Sequence, residues 1–140
     1  MESEGQAAID RANHVVTNTN TSDFQLQSFD SVNALLIGSF DLCYYHELEL
    51  LFHEVSYINL PTVGLSLPRF AIADSNVRRM HAHLELDDTD ILFEIVNDPD
   101  FSGQRYYVAA ERLTVREGIA YHYQRDELKD GERIASWAKP

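Results

Sequence analysis

Residues 42–60, LCYYHELELLFHEVSYINL, form the longest stretch of the chain with the pattern of a β-strand. Residues two apart on a strand share a face. One face carries His46, Leu48, Leu50 and Phe52. The apolar residues change sides near Leu51, which predicts a bulge or bend there. Glu and Leu also favour a helix over residues 44–53, but β-branched and aromatic residues continue the run at residues 55–58 and favour a strand.

Shorter stretches around this one show strand patterns as well. Predicted strands outside hairpins cover residues 24–29, 34–37 and 69–73. Two predicted hairpins join residues 80–86 to 91–97 through residues 87–90, and residues 105–116 to 119–124 through Glu117-Gly118. These six to eight strands predict a mainly β protein, an antiparallel sandwich or open barrel. An α+β fold, with a single curved sheet and one helix, is the alternative.

The two ends of the chain differ from the strand-rich middle. Ile9, Ala12 and Val16 form one stripe of a short peripheral helix, and a polar run at residues 18–23 ends it. We therefore divide the chain into a flexible or loosely docked segment, residues 1–23, and a single β-rich domain, residues 24–140. The last 16 residues, 125–140, are predicted as a charged tail docked by Ile134 and Trp137.

The charge of the chain is unevenly distributed. The 140 residues carry 23 Asp or Glu and 11 Lys or Arg, a net charge of −12. Residues 1–104 hold 17 acidic residues and four Arg, whereas residues 105–140 are close to neutral. Such a field repels nucleic acid and anionic membranes and attracts basic partners. A single cysteine, Cys43, the lack of an apolar run of about 20 residues and the lack of a signal-peptide pattern predict a cytoplasmic protein.

A metal site is one hypothesis for function. If residues 80–86 form a strand, His81, His83 and Glu85 share one face and offer a ligand set for Zn or Fe. His46 or His53 would add a ligand. The His-x-His pair is similar to the two histidines of the cupin metal motif, over these two residues alone. The resemblance implies a small β-barrel metal-binding protein or metalloenzyme.

The leading hypothesis is a non-catalytic binding protein without a cofactor. The chain has no Gly-x-Ser-x-Gly elbow and no Gly-rich phosphate loop, but it has seven tyrosines, a residue favoured at interfaces. The predicted binding residues are Glu47, Glu49, Tyr57, Tyr121 and Tyr123. The partner would be a basic protein bound by an inhibitor- or immunity-type acidic surface, or a second copy of the chain.

Overall fold

An antiparallel sheet curved into half a barrel makes up most of the protein. The computed structural model describes residues 2–139. Helix α1 (Glu2–Asn18) precedes β1 (Asp23–Phe29), β2 (Ala34–Ser39), β3 (Tyr45–Ile58), β4 (Leu65–Ser66) and β5 (Arg69–Ile72). Helix α2 (Ser75–Met80) and a 3₁₀ helix (Ala82–Leu84) then lead to β6 (Ile91–Asn97), β7 (Gln104–Tyr123) and β8 (Arg133–Lys139). The predicted mainly β class, with an open barrel and an N-terminal helix, is confirmed.

Strands β3 and β7 form the central ladder of the sheet. The strand order is β4-β1-β2-β3-β7-β6-β5, and β8 pairs with β7 at one end. The β3–β7 ladder runs from the Tyr45–Tyr121 pair to the Ile58–Val108 pair. The prediction of one long strand from the stretch 42–60 is therefore confirmed, and its first residues lie at the end of the sheet where β8 joins.

Helix α1 packs against β5, β7 and β3 and closes the core. Ile9, Ala12 and Val15 are buried, because they recur on one helical face. Asn13 also ties the helix to the outer strand β5, since its side chain accepts a hydrogen bond from the Phe70 N–H (2.9 Å) and donates one to the Phe70 carbonyl (2.8 Å). The Asn13 side-chain amide thus makes the hydrogen bonds to Phe70 that a neighbouring strand would otherwise make at this edge of the sheet.

The first predicted hairpin is wrong. Residues 80–86 do not form a strand, and β6 instead pairs antiparallel with β5 and β7. Asp74 caps α2 by accepting a hydrogen bond from the Val77 N–H (2.9 Å). Arg78 then donates to the carbonyls of Asp87 and Asp90, both at 2.7 Å. These contacts fold the segment into helical turns across residues that alternate like a strand.

The second predicted hairpin is also wrong, because β7 runs straight through Glu117-Gly118. Residues 118 and 119 bulge opposite Glu47, and Gly118 takes up a φ of 114°, which glycine adopts without strain. The bend expected near Leu51 lies further along β3. Leu51 pairs regularly with Thr114, whereas Glu54 has a φ of 54° and the register shifts between Val55 and Tyr57.

The charged tail contains a strand that its sequence does not suggest. β8 lies parallel to β7, with Ala120 paired to Arg133 and Tyr121 paired to Ile134. This is the only parallel strand pair within residues 2–139. Trp137 docks the tail as predicted, since its ring stacks on His46 with ring centroids 5.5 Å apart.

Candidate functional site

Three tyrosines gather where β3 begins and β7 ends. The rings of Tyr44 and Tyr123 meet edge to face with centroids 6.5 Å apart, and those of Tyr121 and Tyr123 lie 5.7 Å apart. Tyr121 and Tyr123 share a face because they are two residues apart on a strand. Tyr44 is 60% and Tyr123 42% exposed. We call Tyr44, Tyr121 and Tyr123 the tyrosine surface.

An arginine of the same chain lies on this surface. The guanidinium carbon of Arg125 is 4.1 Å from the centre of the Tyr121 ring and 5.9 Å from that of Tyr123. Its Nη1 donates to the Tyr123 hydroxyl at 3.2 Å. A guanidinium over an aromatic face is attracted by the electrons of the ring. The tyrosine surface therefore has the geometry that accepts an arginine side chain.

Three carboxylates lie close to Arg125. A depression of about 460 Å³ beside Tyr121 is lined by Asp126, Glu127 and Glu132, together with Arg125 and Lys129. The Tyr121 hydroxyl donates to Glu132 at 3.1 Å. The backbone N–H of Lys129 lowers the pKa of Glu132 below its ordinary value, and the Tyr121 hydroxyl adds to this. Glu132 is therefore ionised at neutral pH and complements a cation bound on the tyrosines.

Two histidines, His46 on β3 and His122 on β7, lie on the face of the sheet opposite the tyrosine surface. His46 is fully buried, and its Nδ1 lies 2.8 Å from Nε2 of His122. Its Nε2 lies 2.7 Å from a Glu49 carboxylate oxygen, to which Arg133 of β8 also donates. His122 Nδ1 lies 3.0 Å from the Leu42 carbonyl. We call His46, His122 and Glu49 the histidine network.

Glu49 and His122 in the histidine network both have pKa values below the ordinary ones. Hydrogen bonding to His46, then to Arg133, lowers the pKa of Glu49 from 4.5 to about 2, although burial opposes this. Burial lowers the pKa of His122 below its usual value, and the nearby charge of His46 lowers it further. Glu49 is thus a carboxylate and His122 a neutral ring at neutral pH.

The histidine network also holds the tyrosine surface in place. The His122 backbone N–H donates to the Tyr44 carbonyl at 2.8 Å, and its ring contacts the Leu42 carbonyl. Residues 42–44 are therefore anchored to β7 at two points. Trp137 covers the other side, with its ring centroid 5.5 Å from that of His46 and 5.7 Å from that of His122.

The structure brings only some of the predicted binding residues together. Tyr121 and Tyr123 form the surface, and Glu49 lies behind it as part of the histidine network. Glu47 instead accepts a hydrogen bond from Thr21, a buried residue just before β1. Tyr57 pairs with Ala109 at the far end of β3, away from the other four.

The predicted metal ligands do not lie on a strand, so the shared face expected for them is wrong. His81 ends α2, His83 lies in the 3₁₀ helix, and Glu85 follows in the left-handed region with a φ of 52°. His81 instead packs on Tyr107, with ring centroids 4.3 Å apart. Within residues 2–139, no group of three or more His, Cys, Asp or Glu is arranged to hold a metal ion. The cupin-like placement of the two histidines is therefore not found.

The expected additional ligands are placed apart as well. His46 belongs to the histidine network, whereas His53 contacts Thr114 through Nε2 at 2.9 Å and accepts from Arg112 through Nδ1 at 3.2 Å. Burial, followed by the charge of Arg112, lowers the pKa of His53. His53 is therefore a neutral ring held by β7 rather than a neighbour of His81.

His122 is not among the candidate site residues predicted from the sequence. It lies 76 positions after His46, and no local spacing links the two. Its one signal was its place between two tyrosines on a predicted strand, which puts it on the face opposite them. The contact itself arises from the β3–β7 register, which pairs His46 with Ala120.

Comparison of the chain with protein-family models, with curated proteins and with solved structures finds no match in any of the three. Within residues 2–139, neither helix has the length and apolar character needed to cross a membrane.

Proposed function

We propose that the protein is a non-catalytic binding protein that takes an arginine-bearing segment of a basic protein partner on its tyrosine surface. The observation that carries this proposal is Arg125, whose guanidinium lies over Tyr121 and Tyr123 beside the Glu132 carboxylate. A partner arginine would meet the same aromatic faces and the same acidic surroundings. Arginine is the residue best suited to such a seat, because its planar group both stacks and donates several hydrogen bonds.

The charge of the protein supports a basic partner. Acidic residues outnumber Lys and Arg by 23 to 11. Among the Asp and Glu side chains described at residues 3–138, only those of Glu49, Glu94 and Glu117 lie within 4.0 Å of an Arg or Lys nitrogen. Most of the negative charge is therefore available to steer a cationic protein towards the surface. An inhibitor- or immunity-type protein that covers a basic target, such as a nuclease, is the specific form of this proposal.

The exposed aromatic rings support a protein interface rather than a purely electrostatic contact. Tyrosine supplies a large contact area with few rotatable bonds, and aromatic residues carry much of the binding energy at interfaces. Tyr44 and Tyr123 are exposed, yet each is held by a neighbouring ring. A rigid aromatic surface loses little entropy when it binds.

The test is calorimetric titration with three synthetic peptides of equal length, rich in arginine, in lysine or in glutamate. We expect the arginine peptide to bind best and the glutamate peptide not to bind. The double variant Tyr121→Leu/Tyr123→Leu should bind the arginine peptide at least about tenfold more weakly, since truncating an aromatic anchor costs about 1–2 kcal/mol or more. Phe101→Leu, an exposed aromatic in the turn after β6, is the matched control and should bind normally.

Two outcomes would contradict the proposal. One is equal affinity for the arginine and lysine peptides, because ring stacking would then play no part. The other is unchanged binding by the double variant. Light scattering on the same samples tests the self-association alternative. If the unaltered protein is a dimer and the double variant is a monomer, the partner is a second copy of this chain and not a basic protein.

A further inference from the structure

The histidine network has a defined number of protons. The Leu42 carbonyl only accepts hydrogen bonds, so Nδ1 of His122 must carry a proton. Neutral His122 then presents a lone pair at Nε2, and this nitrogen accepts the proton on Nδ1 of His46. The Glu49 carboxylate likewise only accepts, so Nε2 of His46 carries a proton as well. These hydrogen bonds place three protons on the two rings together.

The surroundings of the pair match this count. His46 faces the Glu49 carboxylate on its own strand, His122 on β7 and the flat face of Trp137 on β8. A buried cation needs a hydrogen-bonded counter-charge, and Glu49 supplies it. Arg133 reaches the same carboxylate from β8. This arginine near the site already opposes any further positive charge.

A fourth proton has no place in this arrangement. It would go to Nε2 of His122, which lies 2.8 Å from the protonated Nδ1 of His46. Two N–H groups would then point at each other, and two imidazolium rings would lie in contact in a buried site. Glu49 and the Trp137 ring hold the buried His46 in place. We therefore expect the His122 ring to turn, which breaks its hydrogen bond to the Leu42 carbonyl. The segment that carries Tyr44 then loses one of its two anchors on β7.

We propose that His46 and His122 form a proton-operated switch that regulates the tyrosine surface, holding Tyr44 against Tyr123 with three ring protons and releasing it with four. This proposal rests on the proposed function for its biological meaning, but the switch is a property of the free protein. Because the pKa of His122 lies below its ordinary value of 6.5, the surface is intact at neutral pH. The stability contributed by neutral His122 is full above pH 6.5 and is lost as the pH falls through the lower pKa of the folded state.

The first test is a long-range ¹H–¹⁵N spectrum of the free, ¹⁵N-labelled protein recorded from about pH 7.5 to about pH 5. At the upper pH we expect three protons on the two rings together, one of them on Nδ1 of His122. As His122 takes up a proton, the emission of Trp137, the only tryptophan in the chain, should change with the same midpoint. Three results would each overturn the switch. The first is two neutral rings at pH 7.5, and the second is a His122 ring with its proton on Nε2 in place of Nδ1. The third is a Trp137 emission that stays constant while His122 takes up its proton.

Two variants separate the switch from general effects of acid. In His122→Gln the side-chain amide takes up no proton, so the change of Trp137 emission between the two pH values should disappear. In His14→Gln, which alters an exposed histidine of α1, the change should remain. A change that survives in His122→Gln would contradict the proposal, and the spectra of the unaltered protein decide it even if that variant does not fold.

Peptide binding then connects the switch to function. The affinity for the arginine peptide should fall at least about fivefold from pH 7.5 to pH 5, the lower end of typical coupling between sites, and His122→Gln should show no such fall. Failure of the peptide to bind at any pH would count against the proposed function alone, because the ring protons and the Trp137 emission test the switch without a partner. If His122 takes up a proton but the affinity for the arginine peptide is the same at both pH values, the histidines do not regulate the tyrosine surface and the proposal is refuted.

Discussion

Replacing Glu49 with glutamine removes the counter-charge of the histidine network. A pKa unit corresponds to about 1.4 kcal/mol, so a carboxyl whose pKa falls from 4.5 to about 2 stabilises the folded state by about 3 kcal/mol at pH 7. The side chain is only 19% exposed, which limits screening by water. We therefore expect Glu49→Gln to lower the free energy of unfolding by about 3 kcal/mol, measured by urea denaturation at pH 7.

The stability lost in Glu49→Gln should also depend on pH. The pKa of Glu49 is lowered by folding, so its contribution is present above pH 4.5 and is lost as the pH falls towards 2. The difference between the unaltered protein and Glu49→Gln should therefore shrink between about pH 5 and pH 3. The matched control is Glu117→Gln, which breaks an exposed ion pair with Arg11 and should cost less than about 1 kcal/mol. A loss from Glu49→Gln that is no larger than the control, or that is the same at pH 7 and pH 3, would refute the reasoning.

Three further substitutions test the fold around the site. Gly38→Ala should lower the free energy of unfolding by about 1–3 kcal/mol, because the ring of Phe24 occupies the place of the new methyl group; thermal denaturation measures it. Asn13→Ala should cost about 1–3 kcal/mol and speed hydrogen exchange at the Phe70 amide, which loses its acceptor; unchanged exchange would show that α1 does not protect this edge. Asp74→Ala should cost about 1 kcal/mol through the lost helix cap, and an effect near zero in urea denaturation would mean that Arg78 alone holds the turn.

Strands whose apolar residues face the core are predicted best from the sequence. The strands at residues 34–37, 69–73 and 91–97 were predicted because their apolar residues meet the core directly. The segment 80–86 was mispredicted because one cap at Asp74 and two hydrogen bonds from Arg78 outweigh its alternating pattern. Gly118 was interpreted as a turn, yet the same freedom of φ also allows a bulge within a continuous strand.

The candidate site shows the same division. Tyr121 and Tyr123 were predicted as binding residues, and their spacing by two on a strand puts them on one face through local geometry alone. Trp137 was expected to dock the tail, but its partner was not known. His46 and His122 could not be paired in advance, because their contact depends on the register of β3 against β7 and on the bulge at Gly118.

The sequence by itself determined the mainly β class, the long strand within residues 42–60, the α1 helix and the excess of acidic charge. Each of these follows from residue type and from periods of two or 3.6 along the chain. Three contacts could be seen only in the tertiary structure: Glu49 meets His46, Arg125 lies on the tyrosines, and β8 brings Trp137 and Arg133 to the site. These contacts join residues distant in sequence, so they depend on how strands align, and alignment is set by the whole sheet rather than by any one segment.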